Sequence, residues 1–285
     1  MNFRLGCAIW AYKGWIGDLF PPESHPRDFL RLYSQRFITV EGNTTFYSIP
    51  DAETIARWAK ETPTEFQFCL KLPKAFTHQG LLEPHLSEIL HFLNQMKGLG
   101  TRLGPFFAQL PPSYSPALLE DLEAFLMALP RSQAEFALEV RHPDWFQEPH
   151  RRRLTDLLEE LGIGQVLLDT RPIYEVPDDP QLHSERRKPR LPLQLSVTAP
   201  FSLIRYISHP NLEMNQPFME IWVARIDEWL QQGTRIYFFV HCPVEKRSPT
   251  NAQYLQYLLE KRAVPVPPLP WNQLEPFSTQ LRLFE

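Results

Sequence analysis

The feature that most constrains the fold is a regular alternation of short apolar runs with longer amphipathic runs. In the longer runs apolar residues recur every three or four positions, as at Leu118, Leu122, Phe125 and Leu129, which predicts helices. The short runs predict strands over 3–9, 37–43, 65–72, 105–110, 135–141, 164–169, 202–209 and 235–241. Strands that alternate with helices pair in parallel through helical crossovers. Eight such units predict an α/β protein with a single (β/α)8 TIM-like barrel.

Two regions depart from this alternation. The segment 171–192 follows the sixth strand, is polar and proline-rich, and predicts an irregular segment that replaces or extends the sixth helix. Within it, the basic run 183–190 is interpreted as a solvated loop, with an anion-gathering lid as the alternative. The end of the chain is also rich in proline. The predicted organisation is a barrel over 1–262 and a Pro-rich C-terminal extension over 263–285 packed on the barrel.

Charge and cysteine content narrow the functional classes. The net charge of −4 and the pI near 6.2 argue against a general affinity for nucleic acid or anionic membranes. No apolar run reaches the roughly 18 residues of a membrane span. Three scattered cysteines and an N-terminus without a signal-peptide pattern predict a cytoplasmic protein without a disulfide framework. The oligomeric state does not follow from the sequence.

The fifth predicted strand, in the stretch FALEVRHPDWF, carries charge near its carboxyl end. Because side chains alternate along a strand, Ala137, Glu139 and Arg141 share one face, while Leu138 and Val140 share the other. The same phase places polar side chains inward, near the carboxyl ends of other strands: Glu41, Asn43, Lys71, Gln109, Asp169, Arg205, His209 and His241. Barrel enzymes keep their active sites at this end. The sequence therefore predicts a polar site at the barrel mouth.

Several stretches together carry a family resemblance: LGCAIWAYKGWIGDLFPP, VEGNTTFYSIP, ARWAKETPTEFQFCLKLPKAFTH, LGPFFAQLPPSY, FALEVRHPDWF and NAQYLQYLL. The chain resembles the domain of unknown function 72 family, whose members are also called YecE-like proteins. The resemblance implies a TIM-like barrel with no assigned reaction. It also implies candidate positions at Glu41, Asn43, Phe46, Tyr47, Lys71, His78, Gln109, Pro111, Glu139, Arg141, His142, Trp145 and Asp169. The chain departs from the family pattern at Cys7-Ala8, His209-Pro210 and Val240-His241.

The first functional hypothesis is an enzyme or sensor for a small anionic or carbohydrate-like ligand, with hydrolysis or isomerisation as the expected reaction class. Arginine and lysine suit phosphate or carboxylate groups. The candidate catalytic residues are Glu41 and Glu139 as acid and base, Lys71, which could also form a Schiff base, and Asp169. The candidate ligand-binding residues are Asn43, Tyr47, Gln109, Arg141, His142, Arg205, His209 and His241.

Two alternatives remain open. One is a hydrolase, isomerase or nuclease-like enzyme that uses a divalent metal held by Glu41, Glu139, Asp169 and His241, with His209 nearby. No short ligand motif such as HExxH supports it, and no other cofactor is predicted. The other is a non-catalytic binding or interaction barrel, in which aromatic residues could form a stacking wall for a sugar or base.

Overall fold

A computed structural model describes residues 1–182, 184 and 187–273. Eight strands are formed: β1 Phe3–Cys7, β2 Thr39–Gly42, β3 Gln67–Leu70, β4 Phe106–Gln109, β5 Phe136–Glu139, β6 Gly164–Asp169, β7 Phe201–Ile207 and β8 Arg235–His241. The helices are α1 Phe29–Ser34, α2 Thr44–Tyr47, α3 Ala52–Glu61, α4 Lys74–Thr77, α5 Leu86–Met96, α6 Leu119–Ala128, α7 His150–Leu161, α8 Arg171–Tyr174, α9 Gln216–Gln231 and α10 Ser248–Lys261. The predicted strands and long helices are confirmed, whereas α2, α4 and α8 were not predicted.

The strands form one parallel sheet in the order β3-β2-β1-β8-β7-β6-β5-β4. The two ends of this order approach each other, because the amide of Leu72 donates to the carbonyl of Phe107 at 2.9 Å and that of Gly104 to Phe68 at 2.9 Å. The result is a nearly closed barrel with helices between its strands. The predicted TIM-like barrel is confirmed.

The predicted phase of the strands is confirmed for most of the barrel. Small and aromatic side chains fill the interior, among them Cys69, Phe107, Ala137, Leu203 and Phe239. The intervening residues pack in the larger core between the strands and the helices. The charged residues near the strand ends therefore sit above the apolar interior layer, at the carboxyl end of the barrel.

Strand β6 has the opposite phase to the predicted one. Val166 packs in the barrel interior, Leu167 packs in the outer core, and Leu168 contacts Ile173 and Ile207. Asp169 consequently faces the helices, where the indole Nε1 of Trp222 on α9 donates to its Oδ2 at 2.8 Å. The prediction that Asp169 points into the mouth is wrong.

The irregular segment after β6 is confirmed, because the described residues between α8 and β7 form neither helix nor strand. Contacts within the segment and with β6 order it. The amide of Lys188 donates to Oε1 of Gln181 at 2.7 Å within the segment, and the hydroxyl of Ser196 donates to Oε1 of the buried Gln165, at the start of β6, at 2.6 Å. Leu191 packs against the buried cluster of Leu168, Ile173 and Ile207, which holds this part of the segment near the carboxyl ends of β6 and β7.

The chain after α10 also packs on the barrel as far as it is described. Val264 and Leu269 are buried, and the ring of Trp271 lies 5.7 Å from that of Phe37. The remainder of the predicted extension, 274–285, lies outside the described residues, so the division at 262 stays a prediction. Within the described ranges, no helix is long and apolar enough to cross a membrane.

Candidate functional site

Arg205 on β7 is the centre of a buried charged cluster at the barrel mouth. Its Nε and Nη2 atoms donate to the two carboxylate oxygens of Glu41 on β2, each at 2.8 Å, and its Nη1 donates to Oε2 of Glu139 on β5. All three side chains are nearly inaccessible to solvent. One guanidinium thus joins carboxylates from β2 and β5, two strands that do not pair with β7. Arg205, Glu41 and Glu139 all point inward, as strand alternation predicted.

A second pair of cations lies beside this centre. Arg141 donates from Nε to Oε1 of Glu139 at 2.6 Å and from Nη2 to Oε1 of Gln109 at 2.6 Å. Lys71 donates from Nζ to the same Gln109 oxygen at 2.7 Å. Lys71 is only 4% exposed, yet no carboxylate of the described residues lies within ion-pair distance of it. The three cations Lys71, Arg141 and Arg205 therefore face only two carboxylates.

The cations decide the protonation of the two glutamates. Burial alone would raise the pKa of each carboxyl group, but the nearby guanidinium groups outweigh it. The pKa of Glu41 lies well below its usual value because of Arg205 and His241, and the pKa of Glu139 falls to about 2 because of Arg141, Arg205 and Lys71. Both carboxylates stay ionised at neutral pH. Their acid and base roles stay predictions, and this geometry favours roles in positioning Arg205 and Arg141.

Two predicted ligand-binding residues orient Glu41. The amide of Asn43 donates from Nδ2 to Oε1 of Glu41 at 2.7 Å and to the carbonyl of Ala8 at 2.9 Å. Nε2 of His241 lies 2.8 Å from Oε2 of Glu41. Burial, helped by the positive charge of Arg205, lowers the pKa of His241 to about 4 despite the carboxylate. His241 is therefore a neutral hydrogen-bond donor to Glu41 at neutral pH.

The reasoning from sequence missed two charged residues near the mouth. Burial, and next the positive charge of Arg205, lower the pKa of Lys188 to about 8. Burial raises the pKa of Glu245, which precedes α10, to about 7. Its Oε1 atom is buried without a hydrogen-bond partner among the described residues. Lys188 belongs to the basic run 183–190, which was the only sequence signal for it. His183, Glu185 and Arg186 of that run lie outside the described residues.

An open depression of about 700 Å³ adjoins the cluster and is lined by residues of α2, α4 and their flanking loops. Phe46 separates the two, because it lines the depression while Nζ of Lys71 lies 3.6 Å from the centre of its ring. Tyr47 and His78 also line the depression, with ring centres 5.1 and 5.2 Å from that of Phe46. Burial, and then the charge of Lys71, lower the pKa of His78 to about 4.

The structure does not bring three predicted site residues into hydrogen bonds with the cluster. Asp169 binds Nε and Nη2 of Arg171, at 2.9 and 2.8 Å, in addition to Trp222. His209 is buried, with Nε2 3.2 Å from Oδ2 of Asp178, and His142 accepts the amide of Asp144 in the loop before α7. Among the candidate positions from the resemblance, Trp145 donates from its indole to the carbonyl of Tyr114 at 2.8 Å, and the carbonyl of Pro111 accepts the amide of Tyr114 at 3.0 Å.

The alternative metal site is not assembled. Arg205 occupies the space between Glu41 and Glu139, and Asp169 faces away from them toward α9. Across the described ranges, no group of three or more His, Cys, Asp or Glu side chains is arranged to hold a metal ion. The donors Glu41, Glu139, Asp169 and His241 therefore do not fit a divalent metal in this arrangement.

A substitution tests the revised place of Asp169. We expect Asp169→Asn to lower the free energy of unfolding by about 1–3 kcal/mol, because a buried acceptor of four donors loses its charge and one acceptor oxygen. Phosphate affinity should not change, because the side chain lies outside the mouth. Chemical denaturation and calorimetric titration measure the two effects. A large loss of phosphate affinity without destabilisation would show that Asp169 belongs to the site at the mouth.

The fold and the cluster define a TIM-like barrel protein with a charged site at the carboxyl ends of its strands. The model of the family described as "Protein of unknown function DUF72" matches residues 4–274. The chain belongs to this family.

Relatives in two bacteria carry the same kind of name. The chain is 34% identical over 243 residues to UPF0759 protein YecE of Escherichia coli O157:H7, covering 80% of this chain and 87% of the relative. It is 28% identical over 180 residues to UPF0759 protein YunF of Bacillus subtilis, covering 59% and 60% of the two chains. These names specify no reaction or ligand.

Solved structures of the same family support the fold. A DUF72 family protein from Thermotoga maritima superposes with a TM-score of 0.68 at 20% identity, covering 91% of this chain and all of that one. A DUF72 family protein from Enterococcus faecalis gives 0.67 at 18% identity, covering 90% and 97%. At these identities the likeness concerns the fold alone.

Proposed function

We propose that the barrel mouth binds a small anionic or carbohydrate-like ligand through an anionic group held by Lys71 and Arg141. The observation that carries the proposal is the environment of the Lys71 amino group. This group is buried and donates to one neutral amide oxygen, and burial, followed by the positive charge of Arg205, holds its pKa well below the usual value. A buried charge normally has a counter-charge. A phosphate or carboxylate would supply it and accept the remaining donors.

The charge balance of the mouth supports an anion rather than a cation. Three of the five N–H groups of Arg205 donate to Glu41 and Glu139, and its side chain is only 3% exposed, so Arg205 acts on a ligand mainly through its positive charge. Arg141 keeps 18% of its side chain exposed, next to Lys71 and on the same Gln109 oxygen. Two cations that share a neutral acceptor repel each other, and an anion between them would relieve that repulsion.

Phosphate titration of matched variants tests the proposal. For a dissociation constant on the order of 1 mM, 10 mM inorganic phosphate should stabilise the wild type by about 1.4 kcal/mol and raise its Tm by about 2–3 °C over sodium chloride of equal ionic strength. Lys71→Gln should weaken phosphate binding about 10- to 100-fold, because it removes a charge-assisted hydrogen bond.

Lys97→Gln is the matched control, because Lys97 also donates to a glutamine oxygen, that of Gln133 at 2.8 Å, but is exposed. It should bind phosphate as the wild type does. Equal phosphate affinity in Lys71→Gln and Lys97→Gln, or no binding to the wild type, would contradict the proposal.

A catalytic version of this function needs a group that exchanges protons near neutral pH. Glu245 meets that requirement better than Glu41 or Glu139, because its pKa is about 7 whereas theirs are depressed. Lys188 lies close enough to lower the pKa of Glu245, so both groups face the same region. We therefore name Glu245 as the acid–base candidate for any hydrolysis or isomerisation at this mouth.

A further inference from the structure

We infer that the depression beside Phe46 is a second subsite of the same ligand, and that it takes a flat, uncharged, largely apolar ring joined to the anionic group. The inference rests on the proposed function, because it places the ring next to the anion held by Lys71. It adds a substrate class: planar-ring compounds that carry a phosphate, phosphonate or carboxylate.

The size and lining of the depression carry the first step. A volume of about 700 Å³ lies within the range of small-molecule sites, about 300–1,000 Å³. Apolar surface comes from five of its nine lining residues, Phe46, Tyr47, Ile49, Pro73 and Ala75, while Ser48, Lys74, His78 and Gln79 complete the lining. Tyr47 and Ile49 leave 66% and 44% of their surfaces exposed. Large apolar side chains exposed around one concavity are typical of a binding site.

The arrangement of aromatic rings carries the second step. Phe46 meets Tyr47 at an interplanar angle of 85° and His78 at 77°, so the rings form adjacent walls rather than one stack. The low pKa of His78 keeps its imidazole neutral at pH 7. Neutral aromatic walls favour stacking or edge contact with another ring.

The position of Phe46 carries the third step. Its ring contacts the ammonium group of Lys71 and lines the depression, so one aromatic ring separates the anion subsite from the ring subsite. A ligand with its ring in the depression could place an attached anion on Lys71 when the Phe46 side chain rotates. The cation–π contact would then be replaced by an ion pair.

The test compares phenylphosphonate with methylphosphonate by calorimetric titration of the whole protein. The two compounds share the anionic group and differ in the ring. We expect phenylphosphonate to bind the wild type about tenfold more tightly, in line with about 1–3 kcal/mol for one stacked ring. Tyr47→Ala should reduce that ratio to within twofold. Tyr257→Ala, at a tyrosine on α10 that is 51% exposed, should keep it.

The outcomes separate this inference from the proposed function. Lys71→Gln should weaken both phosphonates and leave their ratio unchanged. If methylphosphonate binds with dependence on Lys71 but phenylphosphonate gains nothing, the ring subsite is wrong and the anion site stands. If the gain persists in Tyr47→Ala, the ring lies elsewhere. If neither phosphonate binds the wild type, the proposed function itself fails.

Discussion

Arg205→Met is expected to lower the free energy of unfolding by about 3–5 kcal/mol, the usual cost of removing one partner from a buried ion pair. Arg205 makes three hydrogen bonds to Glu41 and Glu139, and all three side chains are at most 3% exposed. Without it, two ionised carboxylates would remain buried at the mouth, with Glu41 left to the neutral His241 and Asn43. Guanidinium denaturation at pH 7 measures the loss.

Two further variants make the interpretation specific. Arg225→Met removes an exposed arginine that is paired with Glu228 on the surface of α9, and it should cost no more than about 1 kcal/mol. Combining Arg205→Met with Glu41→Gln should recover much of the loss, because Glu41 then carries no buried charge and Glu139 keeps Arg141 as its partner. A loss below about 1 kcal/mol for Arg205→Met alone would show that the triad is not buried as described.

Acidification is expected to destabilise the protein in two steps. His241 has a pKa of about 4 in the folded protein against about 6.5 in an unfolded chain, so unfolding takes up a proton between these values. The stability contributed by His241 is therefore lost as the pH falls from about 6.5 to about 4, by on the order of 3 kcal/mol. His78, whose pKa is also about 4, adds to this loss, whereas Glu245, whose pKa of about 7 lies above its usual value, gains stability as the pH falls and offsets part of it. Glu139 and Glu41 have depressed pKa values, so their contribution is lost below about pH 4.5, as the pH falls through their folded values.

His241→Gln isolates the first step. Glutamine keeps a donor near Oε2 of Glu41 but does not titrate. The slope of unfolding free energy against pH should fall by about 1.4 kcal/mol per pH unit between pH 6.5 and 4, while the second step remains. His91→Gln makes the same substitution at an exposed histidine on α5 and serves as the reference variant. An unchanged slope in His241→Gln would show that His241 is not buried as a neutral ring.

Strand alternation was sufficient to predict the cluster where one face of a strand is apolar and the other polar. On β5, Leu138 and the following Val140 pack in the outer core on either side of Glu139, so only one phase buries both apolar side chains against the helices. On β6 both faces are apolar, since Val166 fills the interior and Leu167 the outer core. Periodicity cannot choose a phase for such a strand.

Periodicity could not predict which loop residues lie at the mouth. Lys188 and Glu245 follow no strand or helix pattern, and charged loop residues are usually solvated. Their environment depends on how the segment after β6 and the turn before α10 fold over the strand ends, which is a tertiary effect. The short helices α2 and α4 are similar, because their positions depend on contacts such as that of Thr45 Oγ1 with the carbonyl of Lys71 at 2.6 Å.

Anomalous diffraction from crystals soaked in tungstate, a tetrahedral dianion, would locate an anion at the mouth most directly. The account predicts a tungsten peak beside Lys71 and Arg141, with tungstate oxygens at about 2.7–2.9 Å from their nitrogen atoms. The peak should disappear in crystals of Lys71→Gln and persist in those of Lys97→Gln. Tungstate bound only on the outer surface of the barrel, or bound at the mouth equally well in both variants, would contradict an anion site built on Lys71.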